Sequence, residues 1–101
     1  MTEEKMKDGL IEEFWNSGKL KFKGNYKDGK KDGLWEEYHD NGQLWTKRYY
    51  KNGKPDGLWE RYQSNSKLRF KGNYKEGKRG HWERFSYYTN GKLKKHERLF
   101  D

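Results

Sequence analysis

A period of 24 residues runs through the chain. DGLIEEFWNSGKLKFKGNYKDGKK from Asp8, DGLWEEYHDNGQLWTKRYYKNGKP from Asp32 and DGLWERYQSNSKLRFKGNYKEGKR from Asp56 are successive copies, and GHWERFSYYTNGKLKKHERLF from Gly80 is a looser fourth. A unit this short cannot bury its own apolar face, so each copy must pack on its neighbours and the whole forms a quasi-one-dimensional array. The 101 residues are therefore read as one domain, 1–101, built of repeats 8–31, 32–55, 56–79 and 80–101.

Alignment of the copies isolates what the repeat requires. Each has a Gly (Gly9, Gly33, Gly57, Gly80), a Glu three residues on (Glu12, Glu36, Glu60, Glu83) and an aromatic two further (Phe14, Tyr38, Tyr62, Phe85). A Leu follows (Leu20, Leu44, Leu68, Leu93), and six residues later Tyr26, Tyr50, Tyr74 or Leu99. Asn65-Ser66 departs from the Gly18 and Gly42 of the other central turns. The fourth copy is read as one residue short at its start and two residues longer in its central turn.

Within a copy the period is two. Leu34, Glu36 and Tyr38 alternate with Trp35 and Glu37, and Leu20, Phe22 and Tyr26 with Lys19, Lys21, Lys23 and Asn25, which is the alternation of half-buried strands. Asn41-Gly42, Asn52-Gly53, Asn90-Gly91, Asp28-Gly29 and Glu76-Gly77 fall between the runs, where a turn needs positive φ. The only Pro, Pro55, sits in the turn string Lys54-Pro55-Asp56-Gly57. The fold class expected is all-β: about eight short strands over residues 9–100 in a continuous antiparallel meander of stacked hairpins.

Composition tests this reading, since 29% hydrophobic and 40% charged residues approach a disordered chain. Regularly placed aromatics, 18% of the sequence, answer the objection, because each buries about 150–250 Å². With no Cys there is neither a disulfide nor a cysteine metal site. The first residues, MTEEKMKDG, carry no apolar run and no stretch approaches a spanning helix, so a soluble cytoplasmic protein is expected.

In G-x-W-E-x-Y-x-x-N-G-x-L followed by Y-K-x-G-K-x-D-G, the chain resembles the MORN-variant repeats of bacteria, including those described as YwqK-type antitoxins. The resemblance implies an elongated, curved single sheet of stacked β-hairpins used as an interaction scaffold. It implies partners among proteins and membrane lipids, and no catalytic residues.

Parity separates two faces. With three-residue central loops such as Asp40-Asn41-Gly42, Tyr38 is placed opposite Leu44, Glu36 opposite Thr46 and Trp35 opposite Lys47. One face, taken as the core side, then gathers Leu10, Leu34, Leu58, Phe14, Tyr38, Tyr62, Leu20, Leu44, Leu68, Phe22, Phe70, Tyr26, Tyr50 and Tyr74. Glu12, Glu36, Glu60 and Glu83 fall on it too and are read as structural, paired with turn amides, Arg48 or lysines, since buried carboxylates are paired.

The other face is the candidate partner-binding surface. It is assigned Trp35, Trp45, Tyr49, Trp59 and Trp82 among Lys19, Lys21, Lys23, Lys47, Lys67, Arg69 and Lys71, with Ile11, Lys92, Lys94 and His96 nearby. Such a surface fits an acidic protein, as an antitoxin or immunity protein would occlude; the alternative partner is a polyanion, nucleic acid or anionic lipid, held by bases between stacking rings. The bland reading is an internal cation–π ladder on a wet face. Net charge of +8 decides nothing, because 16 acidic residues are mixed among the bases. Two open sheet edges allow an edge-strand dimer.

Catalysis is not expected, and no cofactor or metal is implied. His39, His81 and His96 lack metal spacing. Gly29-Lys30, Gly53-Lys54 and Gly77-Lys78 lack the flanking Gly, Ser/Thr and helix of a phosphate loop.

Overall fold

The structure is a computed structural model that describes residues 8–99. Residues 1–7, on which the expectation about a secretory signal falls, and residue 100, where the last strand was expected to end, lie outside the described residues. Eight strands follow one another: β1 (Gly9–Phe14), β2 (Leu20–Lys27), β3 (Lys30–Tyr38), β4 (Leu44–Lys51), β5 (Lys54–Tyr62), β6 (Leu68–Lys75), β7 (Lys78–Tyr87) and β8 (Leu93–Leu99). They form one open antiparallel sheet in sequence order, with no helix among the described residues. The sheet measures 53 × 36 × 15 Å, a slab one layer thick.

Turn chemistry explains the meander. Between repeats, Lys27 pairs with Lys30, Lys51 with Lys54 and Lys75 with Lys78, and the two residues between them both have positive φ. These are Asp28 (53°) and Gly29 (77°), Asn52 (52°) and Gly53 (83°), and Glu76 (51°) and Gly77 (85°), the geometry whose twist matches a right-twisted hairpin. Within a repeat the loop is the expected three residues. His39 N–H donates to Gln43 O at 2.8 Å and Gly42 N–H to His39 O at 2.9 Å, with Gly42 at φ 90°. Ser66 keeps this loop despite lacking glycine's freedom, at φ 73°, and its Oγ donates to Gln43 Oε1.

The register departs from the simple count one residue beyond each loop. Tyr38 faces Leu44 as expected, but Glu37 then faces Thr46, so Trp45 is an unpaired extra residue. Lys21, Arg69 and Lys94 are the same bulge in the other hairpins. Trp35 therefore stands opposite Arg48, not Lys47, and Glu36 opposite Lys47, not Thr46. A one-residue slip exchanges the faces. Phe22, Phe70, Tyr26, Tyr50 and Tyr74 accordingly join the tryptophans, while Lys23, Lys47 and Lys71 join the glutamates.

The fourth hairpin also differs from expectation. Its turn is unchanged, with Tyr88 N–H bonded to Lys92 O and Gly91 at φ 90°. The two residues read into the turn lengthen β7 instead, since the hairpin has two added pairs, Phe85↔His96 and Ser86↔Lys95, before Tyr87↔Leu93.

Glycine serves two separate needs here. Gly33 and Gly57 hold φ of 78° and 105° where β3 and β5 carry extra residues against β2 and β4. Gly24 and Gly72 instead make room: a Cβ would lie 2.1 Å from the Trp35 ring at Gly24, and 2.7 Å from both His81 O and the Trp82 ring at Gly72. Val at Gly33 or Gly57 is expected to lower the unfolding free energy by about 1–3 kcal/mol. Gly72→Val should cost at least as much, against less than about 0.5 kcal/mol for Lys21→Ala and no more than about 1 kcal/mol for Lys71→Ala, which loses its cross-strand glutamates. Chemical denaturation at equilibrium reads the ranking, and equal effects at glycine and lysine positions would contradict it.

Candidate partner-binding face

The bulges line up one aromatic face. Trp35 packs against Phe22, Tyr26 and Tyr50 with ring centroids at 6.1, 5.3 and 6.3 Å. Trp59 meets Tyr74 at 4.9 Å and Trp82 at 6.0 Å, and Trp82 in turn meets Phe70 and Tyr74. Arg48 joins the two groups: its guanidinium lies 4.9 Å from the Trp59 ring and 5.9 Å from Tyr50, and it pairs with Glu37, which also accepts the Thr46 hydroxyl at 2.8 Å.

The two halves of this face are not equally closed. Around Trp35 the packing is complete, with only 4% of the residue exposed. Its Nε1 donates to Asn25 O at 3.0 Å, and Lys31 Nζ covers its ring at 4.7 Å. Burial, with the positive charge of Arg48, holds the Lys31 ammonium below its usual value. Around Trp82 the surface stays open. A shallow hollow of about 260 Å³ is lined by Trp59, Arg61, Phe70, Arg79, Trp82 and Leu99, and Trp82 Nε1 is buried with no hydrogen-bond partner. Arg61 and Phe70 also line an adjoining hollow with His39, Trp45 and Arg69. There the Arg61 guanidinium lies 5.6 Å from the Trp45 ring and His39 packs on it at 5.4 Å.

The opposite face carries a row of alternating charge across all eight strands. Pairing runs Glu12↔Lys23↔Glu36↔Lys47↔Glu60↔Lys71↔Glu83↔Arg98. Opposite charges facing across strands contribute about 0.2–1 kcal/mol per pair. The glutamates have further partners: the Tyr38 hydroxyl donates to Glu36 at 3.3 Å and Tyr62 to Glu60 at 2.9 Å. In the fourth copy the ring nitrogens of His81 and His96 take that place on Glu83, at 3.0 and 2.6 Å. These two hydrogen bonds hold the Glu83 carboxyl below its usual value.

The residues singled out from the sequence thus divide into four groups. Trp35, Trp59 and Trp82 share the aromatic face, with Trp35 closed over. Trp45 and Arg69 adjoin the open half, whereas Lys21 stands 4.8 Å over the Trp15 ring in the first hairpin. Lys23, Lys47 and Lys71 belong to the charge row of the opposite face, and Tyr49, opposite Leu34, lies with them. Lys19 and Lys67 flank the central turns, the latter 5.7 Å over the Tyr87 ring. Arg48, Arg61 and Arg79 were missed as contributors, and Phe70 and Tyr74 were placed on the wrong side. In-strand Gly24 and Gly72 were the available signal, because an isolated strand glycine marks a bulge or a close approach.

Four hairpins joined edge to edge, each offering the same two surfaces, define a β-hairpin repeat scaffold. The chain belongs to the MORN repeat variant family, which it matches at residues 7–28, 31–52, 55–76 and 81–99. No curated protein and no solved structure matches it. Among the described residues no helix is long and apolar enough to cross a membrane, and no group of three or more His, Asp or Glu could hold a metal ion.

The Tyr62–Glu60 bond has a pH signature. Burial first, then the hydrogen bond to Glu60 and its negative charge, push the Tyr62 phenol from 10.0 up to about 12. The unfolded chain ionises at the lower value, so the stabilisation is complete below pH of about 10 and is lost as pH rises through about 12. Tyr62→Phe should flatten that alkaline loss of stability, measured as denaturation midpoints across the range. An unchanged alkaline slope would mean that the bond does not form.

Proposed function

We propose that this repeat scaffold is a non-enzymatic protein-binding module that docks an acidic partner on the open half of its aromatic face. The observation that carries the reading is the run from Trp45 through Arg61 and Phe70 to Trp59, Trp82 and Arg79, where large rings and guanidinium groups border two adjoining hollows. Aromatic and Arg side chains supply most interface hot spots, and arginine forks suit carboxylates. Among the described residues the sheet has no second layer, so a partner buries apolar surface that folding leaves half exposed. An antitoxin or immunity role, in which this face covers a partner's acidic site, is the most concrete form of the proposal, and it places the protein in the cytoplasm. Trp59, Trp82, Trp45 and Arg69 keep the partner-binding role expected from the sequence. Trp35 acts from beneath as packing, and Lys23, Lys47 and Lys71 are neutralised by their glutamates.

A second reading rests on a separate feature. Lys27 and Lys30, Lys51 and Lys54, and Lys75 and Lys78 face each other across the inter-repeat turns, all exposed. Like charges directly opposite are unfavourable, so this end of the sheet suits a polyanion. Counterion release would make such binding fall steeply with salt.

The test is a binding partner captured from native lysate, its affinity measured against variants. Trp45→Ala and Arg61→Glu should each weaken it by about 2 kcal/mol, with little change in thermal unfolding, while Lys47→Ala has no effect. Unchanged affinity in both variants would reject the aromatic face. Loss with Lys51→Ala/Lys54→Ala and a steep salt slope would favour the turn lysines.

A further inference from the structure

The two edges of the sheet are complementary to each other. Among the described residues no strand pairs with the outer side of β1 or of β8. β1 carries Glu12 and Glu13 and no base, while β8 carries Lys94, Lys95 and Arg98 against the single acid Glu97. Both edges expose apolar side chains: Leu10 is 64% and Phe14 53% exposed on β1, and Leu93 53% on β8. Natural sheets blunt open edges, commonly with charged side chains. Here the two edges carry opposite kinds.

We infer that β8 of one copy adds to β1 of a second copy, head to tail, extending the sheet across the junction. The repeat prescribes the register. At every junction between repeats a base on the even-numbered strand faces the recurrent glutamate of the next: Lys23↔Glu36, Lys47↔Glu60, Lys71↔Glu83. The same register sets Arg98 of one copy against Glu12 of the next, so the row of alternating charge continues unbroken. On the same face His96, already stacked on Phe85 at 4.4 Å, meets Phe14 of the second copy. On the aromatic face Leu99 meets Ile11. One pair is unfavourable, Glu97 against Glu13, but Glu97 is held by Arg84 at 2.8 Å and Lys95 at 3.3 Å. The symmetric alternatives fare worse, since β1 on β1 gathers glutamates and β8 on β8 gathers bases. A head-to-tail contact is heterologous, so it grows into longer arrays unless its rotation closes a ring.

The test uses the full chain in sedimentation equilibrium over a concentration series, with circular dichroism to confirm the fold of each variant. The weight-average mass should rise with concentration. Glu12→Lys alone and Arg98→Glu alone, both at exposed positions, should each weaken association about tenfold, by replacing an attractive cross-strand pair with a repulsive one. An equimolar mixture of the two variants should recover it, because each then presents the edge that the other lacks. A monomer at all concentrations, association insensitive to both substitutions, or a mixture no better than either variant alone would overturn the inference.

Discussion

The described residues form a sheet one layer thick with no opposing layer against which to bury side chains, so Trp35, Trp59 and Trp82 pack against neighbouring rings along one face. That constraint accounts for features that otherwise look unrelated. Trp35, Trp59 and Trp82 stand on odd strands, and the even strands answer with small or flat partners: Gly24 beneath Trp35, the Arg48 guanidinium beside Trp59, Gly72 beneath Trp82. A side chain at either glycine would occupy the volume of the ring itself. Truncating a buried aromatic costs about 3–5 kcal/mol, a large share of the stability of a domain this small. Trp35 is the one hydrophobic residue counted as buried among those described, and its half of the face is the structural anchor.

The same division of faces limits where function can lie. Lysines that look available in the sequence, Lys23, Lys47 and Lys71, stand in a row where every base faces a glutamate, and the row is close to neutral. Positive charge in excess of this collects at the inter-repeat turns and among the arginines around Trp82. A partner therefore meets either aromatic rings bordered by guanidinium groups or a palisade of lysine pairs, two surfaces with different salt dependence.

Most of the fold was legible because the repeat copies it three times over. Strand number, strand order, the three-residue loops and the Asp28-Gly29 type of turn all follow from local chemistry, which needs only neighbours in sequence. The faces were not legible, and the cause is a single residue per hairpin. Lys21 and Arg69 are long cations and Trp45 is an indole, ordinary strand residues whose identity does not announce a bulge. Parity counted through them exchanges Phe22 with Lys23 and Phe70 with Lys71. The site suffered most: Trp59 and Trp82 were recognised, Arg61 was passed over although it lies two residues from Trp59 on the same strand, Phe70 comes beside them only once the bulge at Arg69 is in place, and Arg79 only through the extra residue of β7. In the fourth copy Phe85 was read as the recurrent aromatic before a turn longer by two residues, whereas Phe85 and Ser86 pair with His96 and Lys95 and Tyr87 takes that aromatic's place opposite Leu93.

The central claim is that a bulge at Trp45 and its equivalents sets the register and so brings Phe22, Phe70, Tyr26, Tyr50 and Tyr74 onto the face of Trp35, Trp59 and Trp82. The most direct measurement is the pattern of cross-strand nuclear Overhauser effects between β3 and β4. The bulged register requires backbone contacts linking Trp35 with Arg48, Glu36 with Lys47 and Glu37 with Thr46. Contacts linking Trp35 with Lys47 and Glu36 with Thr46 would contradict it, returning the lysines to the tryptophan face and removing the basis for both the aromatic docking surface and the alternating charge row.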